Sequence, residues 1–158
     1  MEGWKIEKVE ESERRAAYTR QVLRALPEWF GNPEGLSEYC EKVKGLPLWA
    51  AVDEGGAPLG ILAVTIHYSR TGDIVVMGVL PGLHRKGLGR GLYEAAESYF
   101  RQQGCACVMV KTLSDTADFP PYEATRRFYR GMGFAPLVTL TEMWDEENPC
   151  LIMLKALE

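Results

Sequence analysis

One stretch of the sequence decides the fold: Val79-Leu80-Pro81-Gly82-Leu83-His84-Arg85-Lys86-Gly87-Leu88-Gly89-Arg90-Gly91. It joins a nearly all-apolar predicted strand, 73–80, to the start of a predicted helix. Backbone N–H groups in such a turn can point at one anion, and the helix dipole adds partial positive charge there. Arg85, Lys86 and Arg90 add formal charge in an otherwise acidic chain. The stretch therefore favours a ligand that carries a pyrophosphate, although its glycines alone fit a solvated basic turn equally well.

Two other phosphate-binding patterns fit this stretch less well. A Walker loop requires Lys followed by Ser or Thr after its second glycine, whereas Gly89 is followed by Arg90. A dinucleotide-binding βαβ unit requires an acidic residue at the end of the next strand, and residues 105–111 contain none. Neither pattern is predicted here.

Hydrophobic periodicity on both sides of the stretch predicts an α/β (α+β) fold. Helical spacing predicts helices at 10–30, 36–43, 88–104 and 122–132, and apolar runs bounded by turn residues predict strands at 48–52, 59–68, 73–80, 105–113, 134–141 and 150–156. The order α-α-β-β-β-α-β-α-β-β indicates helices on a mixed, mostly antiparallel sheet. Because no repeat or linker interrupts it, residues 1–158 are expected to form a single domain.

Composition and charge exclude several classes of function. The formal net charge of −4 and a pI near 5.3 leave no broad basic surface for nucleic acid. No apolar run approaches the length of a membrane span, and the N-terminus lacks a secretory pattern, so a cytoplasmic protein is expected. The four cysteines are expected to be reduced. No metal is expected, because Cys105 and Cys107 lack a second pair of ligands.

Two motifs carry a resemblance to the GNAT acetyltransferase superfamily. The run from His84 to Leu92 resembles its pyrophosphate loop, Gln/Arg-x-x-Gly-x-Gly/Ala after a strand ending in Val-x-Pro, with His84 at the Gln/Arg position. The run 124–134 resembles the later family helix, Asn-x-x-Ala-x-x-Phe/Leu-Tyr-x-x-x-Gly-Phe. Phe128-Tyr129 and Gly133-Phe134 match that helix, whereas Tyr122 and Thr125 replace its asparagine and alanine.

The resemblance implies a GNAT-like fold with a six- to seven-stranded sheet flanked by four helices. It also implies an N-acetyltransferase that moves an acetyl group from acetyl-coenzyme A (acetyl-CoA) to a primary amine by direct attack in a ternary complex. Strands 73–80 and 105–113 would splay, so that the pantetheine arm pairs with the first. The N–H of Val79 or its neighbour would hold the oxyanion. Cofactor contacts are implied for Gly78, Val79, Leu80, Arg85, Lys86, Gly87, Leu88, Gly89, Arg90 and Phe128.

Tyr129 and Asp73 are the candidate catalytic residues for proton transfer. Tyr129 matches the general acid of the family, since a phenol can protonate a departing thiolate. Its alternative role is that of a helix core residue. Asp73 occupies the position where some family members place a glutamate base, and its alternative is a strand-edge turn residue.

Acceptor-site candidates are fewer and rest on position. His67 offers another proton acceptor and Tyr68 an aromatic wall at the end of a strand, while Trp29 and Trp144 could line the pocket. Solvated or core positions are the alternatives. The acceptor is a small-molecule amine or a protein amine, and the late strands offer a surface for a homodimer. A domain that binds acyl-CoA without transferring the acyl group, as a sensor or interaction module, is the competing function.

Overall fold

The structure is a computed structural model that describes residues 3–84 and 86–157. Seven strands and five α-helices are present in this part of the chain. The strands are β1 Trp4–Lys8, β2 Leu48–Asp53, β3 Pro58–His67, β4 Thr71–Val79, β5 Cys107–Leu113, β6 Ala135–Asp145 and β7 Asn148–Ala156. The helices are α1 Ser12–Arg24, α2 Pro27–Phe30, α3 Pro33–Lys42, α4 Leu88–Gln102 and α5 Pro120–Gly131.

The strands form one sheet in the order β1-β2-β3-β4-β5-β7-β6. The pairs β1–β2, β2–β3, β5–β7 and β6–β7 are antiparallel, and β4–β5 is parallel. The ladder between β4 and β5 joins Thr71–Ile74 to 107–110. The predicted mixed, mostly antiparallel sheet is therefore confirmed, with seven strands and with five helices in place of the expected four.

Two elements at the N-terminal end differ from the prediction. The first element of the described chain is β1, a five-residue strand that periodicity did not reveal because it is short and half-buried. The expected helix over 10–30 is two helices. Pro27 has no N–H and its ring would clash with a carbonyl one turn earlier, so α1 ends at Arg24 and Leu26 leaves the helical conformation, with φ −124° and ψ 59°.

The described chain divides into two compact units. One comprises residues up to Thr65 with Val75–Phe100, and the other Ile66–Ile74 with the residues from Arg101 onward. In the first unit, α1 and α3 pack against apolar residues of β2, β3 and β4. Gly78 lies in this core, where a Cβ would come 2.8 Å from Leu26 Cδ1. The close approach of Leu26 therefore explains why residue 78 is a glycine.

None of the helices in the described residues combines the length and the apolar character needed to cross a membrane.

Candidate active site

The end of β4 is tied into a tight turn. Leu83 N–H donates to Leu80 O at 3.2 Å, and Gly82 at φ +83° follows Pro81, an arrangement typical of a type II turn. His84 Nε2 lies 2.8 Å from Val79 O. Because a carbonyl oxygen only accepts, Nε2 carries the proton. His84 therefore closes the turn onto the end of the strand, a role that the comparison with the family motif had not predicted.

The glycine-rich turn then leads directly into α4. Gly87 has φ +89°, and a Cβ there would meet nothing within 4 Å, so its backbone conformation explains the glycine. Gly91 N–H donates to Gly87 O at 2.9 Å. The N–H groups of the first helical turn, Leu88, Gly89 and Arg90, have no acceptor inside the helix. They form an anion cradle at the positive end of the helix dipole.

The charges around this cradle fit a diphosphate. Lys86 and Arg90 are exposed beside the first turn of α4, whereas Leu88 is fully buried and anchors that turn. Arg85, a predicted cofactor contact, lies outside the described residues. The donor set, several backbone N–H groups with two cations, is that of a phosphate-binding site and fits the pyrophosphate of a coenzyme.

At the end of β4, the backbone N–H groups of Val79 and Leu80 face opposite edges of the strand. Leu80 N–H donates to Leu59 O of the β3 segment at 2.9 Å. Successive strand residues direct their N–H groups to opposite edges, so the Val79 N–H points away from β3. Residues 75–79 also lie beyond the four-residue ladder with β5.

Trp29 lies beside the same turn. Its ring meets the His84 ring edge to face, with centroids 6.1 Å apart and an interplanar angle of 83°. The structure thus brings this predicted acceptor residue close to the predicted cofactor loop.

A second cluster lies in the other unit, around Asp73. Asp73 is only 3% exposed, and its Oδ2 is 2.8 Å from His67 Nε2 and 3.7 Å from Lys111 Nζ. Its Oδ1 is buried and has no hydrogen-bond partner. Asp73 is the third residue of β4 and is not an exposed turn residue, so the strand-edge alternative is wrong.

Lys111 is the member of this cluster that the sequence analysis missed. Asp73 pairs with Met109 in the parallel ladder, which brings Lys111 of β5 to the same carboxylate. The signal was present, because Lys111 is the single charged residue in the predicted strand 105–113.

The turn after β3 exposes Tyr68, a predicted acceptor contact, to solvent. Tyr68 is 98% exposed and has φ +55°, and Ser69 follows with φ +52°. A bulky residue in the left-handed region is strained, and such strain is found at functional sites. The sequence had predicted Tyr68 as the last residue of the strand, which ends at His67.

Tyr129 lies on the buried side of α5. Its ring packs edge to face against Phe128 and Phe134, at centroid distances of 5.4 and 5.6 Å. Phe134 N–H donates to Tyr129 O at 3.0 Å, and Gly133 reaches φ +102° to allow this. The matched residues of the second motif therefore form one packed cluster. Trp144, in contrast, is an exposed residue of the edge strand β6.

A cavity of about 330 Å³ opens at the start of α5. Asp115, Asp118 and Glu123 line it together with Arg126, Arg127 and Arg130, so its walls carry both signs of charge. None of the predicted catalytic or acceptor residues lines it.

The cysteines are free thiols in the structure. Burial raises the pKa of the Cys40, Cys105 and Cys150 thiols, which disfavours their thiolate forms. Among the described residues, no group of three or more His, Cys, Asp or Glu side chains is arranged to hold a metal ion.

Comparison with known proteins identifies the family. The sequence profile of the Acetyltransferase (GNAT) family matches residues 6–134. The chain therefore belongs to the GNAT acetyltransferase family. Acetyl-coenzyme A is the cosubstrate that the family assigns to its site, and the anion cradle before α4 fits that cosubstrate.

Individual relatives agree with this membership. Mycothiol acetyltransferase of Saccharopolyspora erythraea is 39% identical over 74 residues, a match that covers 46% of this chain and 24% of that protein. The chain thus spans about a quarter of this curated relative.

Solved structures share the fold. A GNAT-family protein from Desulfovibrio desulfuricans superposes with a TM-score of 0.82 at 18% identity, covering 98% of this chain and 99% of the other. An aminoglycoside 6′-N-acetyltransferase complexed with coenzyme A gives 0.74 at 15% identity, with 96% of each chain covered.

Proposed function

We propose that the chain is an N-acetyltransferase that transfers an acetyl group from acetyl-CoA to a primary amine by direct attack in a ternary complex. The observation that carries the proposal is the cradle at the start of α4, held open by the positive φ of Gly87. The proposal treats residues 1–158 as one catalytic domain.

In this proposal the cradle holds the diphosphate of the cosubstrate. The N–H groups of Leu88, Gly89 and Arg90 donate to phosphate oxygens, and the side chains of Lys86 and Arg90 neutralise their charge. Each hydrogen bond to a charged group contributes about 1.5–3 kcal/mol, so three or four anchor the ligand. Arg85 and Phe128 remain predicted contacts. Gly78 takes part through its backbone, because its Cα side is filled by Leu26.

Residues 75–79 of β4 are proposed to bind the pantetheine arm. They lie outside the ladder with β5, and Val79 N–H points away from β3, which supports pairing of the arm along that edge. An N–H on that edge would polarise the thioester carbonyl and stabilise the negative charge that develops on its oxygen.

Tyr129 is proposed to donate a proton to the departing thiolate. Its position is set by packing against Phe128 and Phe134, which keeps the phenol in one orientation. Direct transfer is favoured over a cysteine-linked intermediate, because burial raises the pKa of three of the four thiols and so weakens them as nucleophiles. Proton removal from the amine is assigned to the cluster around Asp73.

We propose a small-molecule amine as the acceptor, with His67, Tyr68, Trp29 and Trp144 as candidate contacts. The name of the curated relative, mycothiol acetyltransferase, supports a small molecule over a protein amine. A homodimer through β6 is proposed because this edge strand exposes several apolar side chains. The cytoplasmic location remains a prediction from the sequence.

Titration calorimetry with acetyl-CoA tests the cradle. Gly87→Ala should weaken binding at least about tenfold, because an L-residue resists φ near +90° although its methyl group has room. Gly45→Ala is the matched control, since Gly45 also has open space but no positive φ, and it should bind like the wild type. If the folded wild type has no affinity for acetyl-CoA, the proposal is wrong.

Amine-dependent thiol release tests the transfer. Across a panel of small amines and peptide N-termini, Tyr129→Phe should lower kcat about 100-fold and leave acetyl-CoA binding intact. Binding of acetyl-CoA without turnover of any amine would favour the acyl-CoA sensor instead.

A further inference from the structure

Asp73 carries a buried carboxylate of which one oxygen is unpaired. Asp73 is 3% exposed, and its Oδ1 has no hydrogen-bond partner. Its Oδ2 contacts both His67 Nε2 and Lys111 Nζ. Burying a carboxylate with half of its acceptor capacity unused costs free energy. Such an arrangement is expected where the carboxylate orients another group for chemistry.

That other group is the imidazole of His67. An ionised carboxylate only accepts hydrogen bonds, so His67 Nε2 carries the proton that is donated to Asp73 Oδ2 at 2.8 Å. The neutral ring then has its lone pair on Nδ1, for which no contact exists among the described residues. The His67 side chain is 46% exposed, so Nδ1 is accessible from solvent. The tautomer is the one that a positioned base requires.

We propose that His67 Nδ1 accepts the proton of the acceptor amine and that Asp73 is the positioning residue that holds the ring. The inference rests on the proposed function and deepens it, because it moves the role of base from Asp73 to His67. An ammonium group loses one proton to Nδ1 and becomes nucleophilic. The nitrogen lone pair then forms the C–N bond as the C–S bond breaks.

The protons balance over the whole reaction. The thiolate takes one proton from Tyr129, and Tyr129 is restored by the second proton that the amine nitrogen gives up. The imidazolium of His67, stabilised by Asp73, releases its proton to solvent through the exposed edge of the ring. One proton per acetyl transfer therefore leaves the enzyme.

The cluster contains charged groups from three strands. The groups that contact the Asp73 carboxylate in the described residues are His67 of β3 and Lys111 of β5. Cys107, two ladder positions from the Asp73–Met109 pair, donates to Thr71 Oγ1 and is not part of the contact. Beside His67, the exposed ring of Tyr68 offers a π face to an ammonium group, which suits a cationic acceptor.

A purely structural role for the cluster predicts different behaviour. If His67 and Asp73 only held the turn after β3, replacing His67 would change thermal stability and leave the pH profile of catalysis as it was. The experiment therefore compares both readouts.

The test measures kcat/KM for the amine between about pH 6 and pH 9. For the wild type it should fall as the pH is lowered, since a protonated imidazole cannot accept a proton. His67→Gln should be about 100-fold slower near neutral pH, and the deficit should shrink at alkaline pH, where more of the amine is already deprotonated. Added imidazole should restore part of the rate of His67→Ala. Arg70→Gln, which removes a charge from the same exposed turn, should match the wild type.

Asp73→Asn gives the second readout. It should lower kcat without changing acetyl-CoA affinity, because the ring loses its orientation. If Asp73→Asn does not fold, the kinetics of His67→Gln alone test the inference. This variant is expected to fold, because the His67 side chain is about half exposed. A folded His67→Gln enzyme with the wild-type rate and pH profile, or with an equal deficit at every pH, overturns this inference alone. A wild type that releases no thiol overturns the proposed function as well.

Discussion

Backbone strain at Tyr68 has a measurable consequence. The residue adopts φ +55° with its ring 98% exposed, so no packing compensates the left-handed conformation, which costs about 1–2 kcal/mol. Asn tolerates this region better than Tyr. A strained exposed aromatic next to His67 is expected where the ring serves a ligand.

Tyr68→Asn should therefore raise the free energy of unfolding by about 0.5–1 kcal/mol and also raise KM for the amine. Denaturant unfolding and steady-state kinetics measure the two effects. Ser69→Asn is the control, because Ser69 has φ +52° in the same turn and should gain stability with KM unchanged. An unaltered KM in Tyr68→Asn would contradict a role in acceptor binding.

At the scale of elements, Arg126 holds α5 to the end of β5. Its side chain is 7% exposed, and its Nη1 donates to Leu113 O at 2.8 Å. From the sequence, Arg126 resembled its exposed neighbours Arg127 and Arg130. Helical periodicity gives the spacing of the three but not which of them turns toward a neighbouring strand.

Arg126→Met should lower the free energy of unfolding by about 1.5–3 kcal/mol, because the Leu113 carbonyl loses a charged donor. Arg127→Met is the matched control. Arg127 is exposed, and its ion pair among the described residues is an i,i+4 contact of 3.5 Å with Glu123, so its loss should cost at most about 0.5 kcal/mol. Equal losses in urea unfolding of the two variants would show that Nη1 does not stabilise this junction.

The other elements show how far local sequence predicts the fold. The strands from β2 to β5, and α4, were predicted within a few residues because their apolar periodicity is strong. The predicted helix over 10–30 was wrong at Pro27, because proline cannot continue a helix and a new one begins there. β6 extends to Asp145, four residues beyond the prediction, because its exposed side chains give no alternation of buried positions.

At the scale of the whole molecule, the edge strand β6 offers a surface for pairing with a second copy of the chain. It is an edge strand of the sheet and 11 residues long. Leu137 is 60% exposed, and Val138, Met143 and Trp144 are exposed too. A long apolar edge strand is a template for pairing with another chain. This surface supports the proposed homodimer.

Light scattering after size exclusion should accordingly give twice the chain mass for the wild type. Leu137→Lys should shift the protein toward the monomer, because a buried lysine at a paired edge is unfavourable. Ala57→Lys, which adds the same charge at an exposed turn, should leave the mass unchanged. A wild type that stays monomeric at all concentrations contradicts pairing through β6.

The sequence by itself determined the features that depend on neighbours along the chain: the turn glycines Gly82 and Gly87, the helix α4 and the motif around Tyr129. Backbone conformation and helix dipoles are local, so residue types and spacing reveal them. Only the tertiary structure decided that Asp73 is buried and meets His67 and Lys111. These residues lie on three strands, and strand pairing and register, which depend on contacts distant in sequence, bring them to one carboxylate.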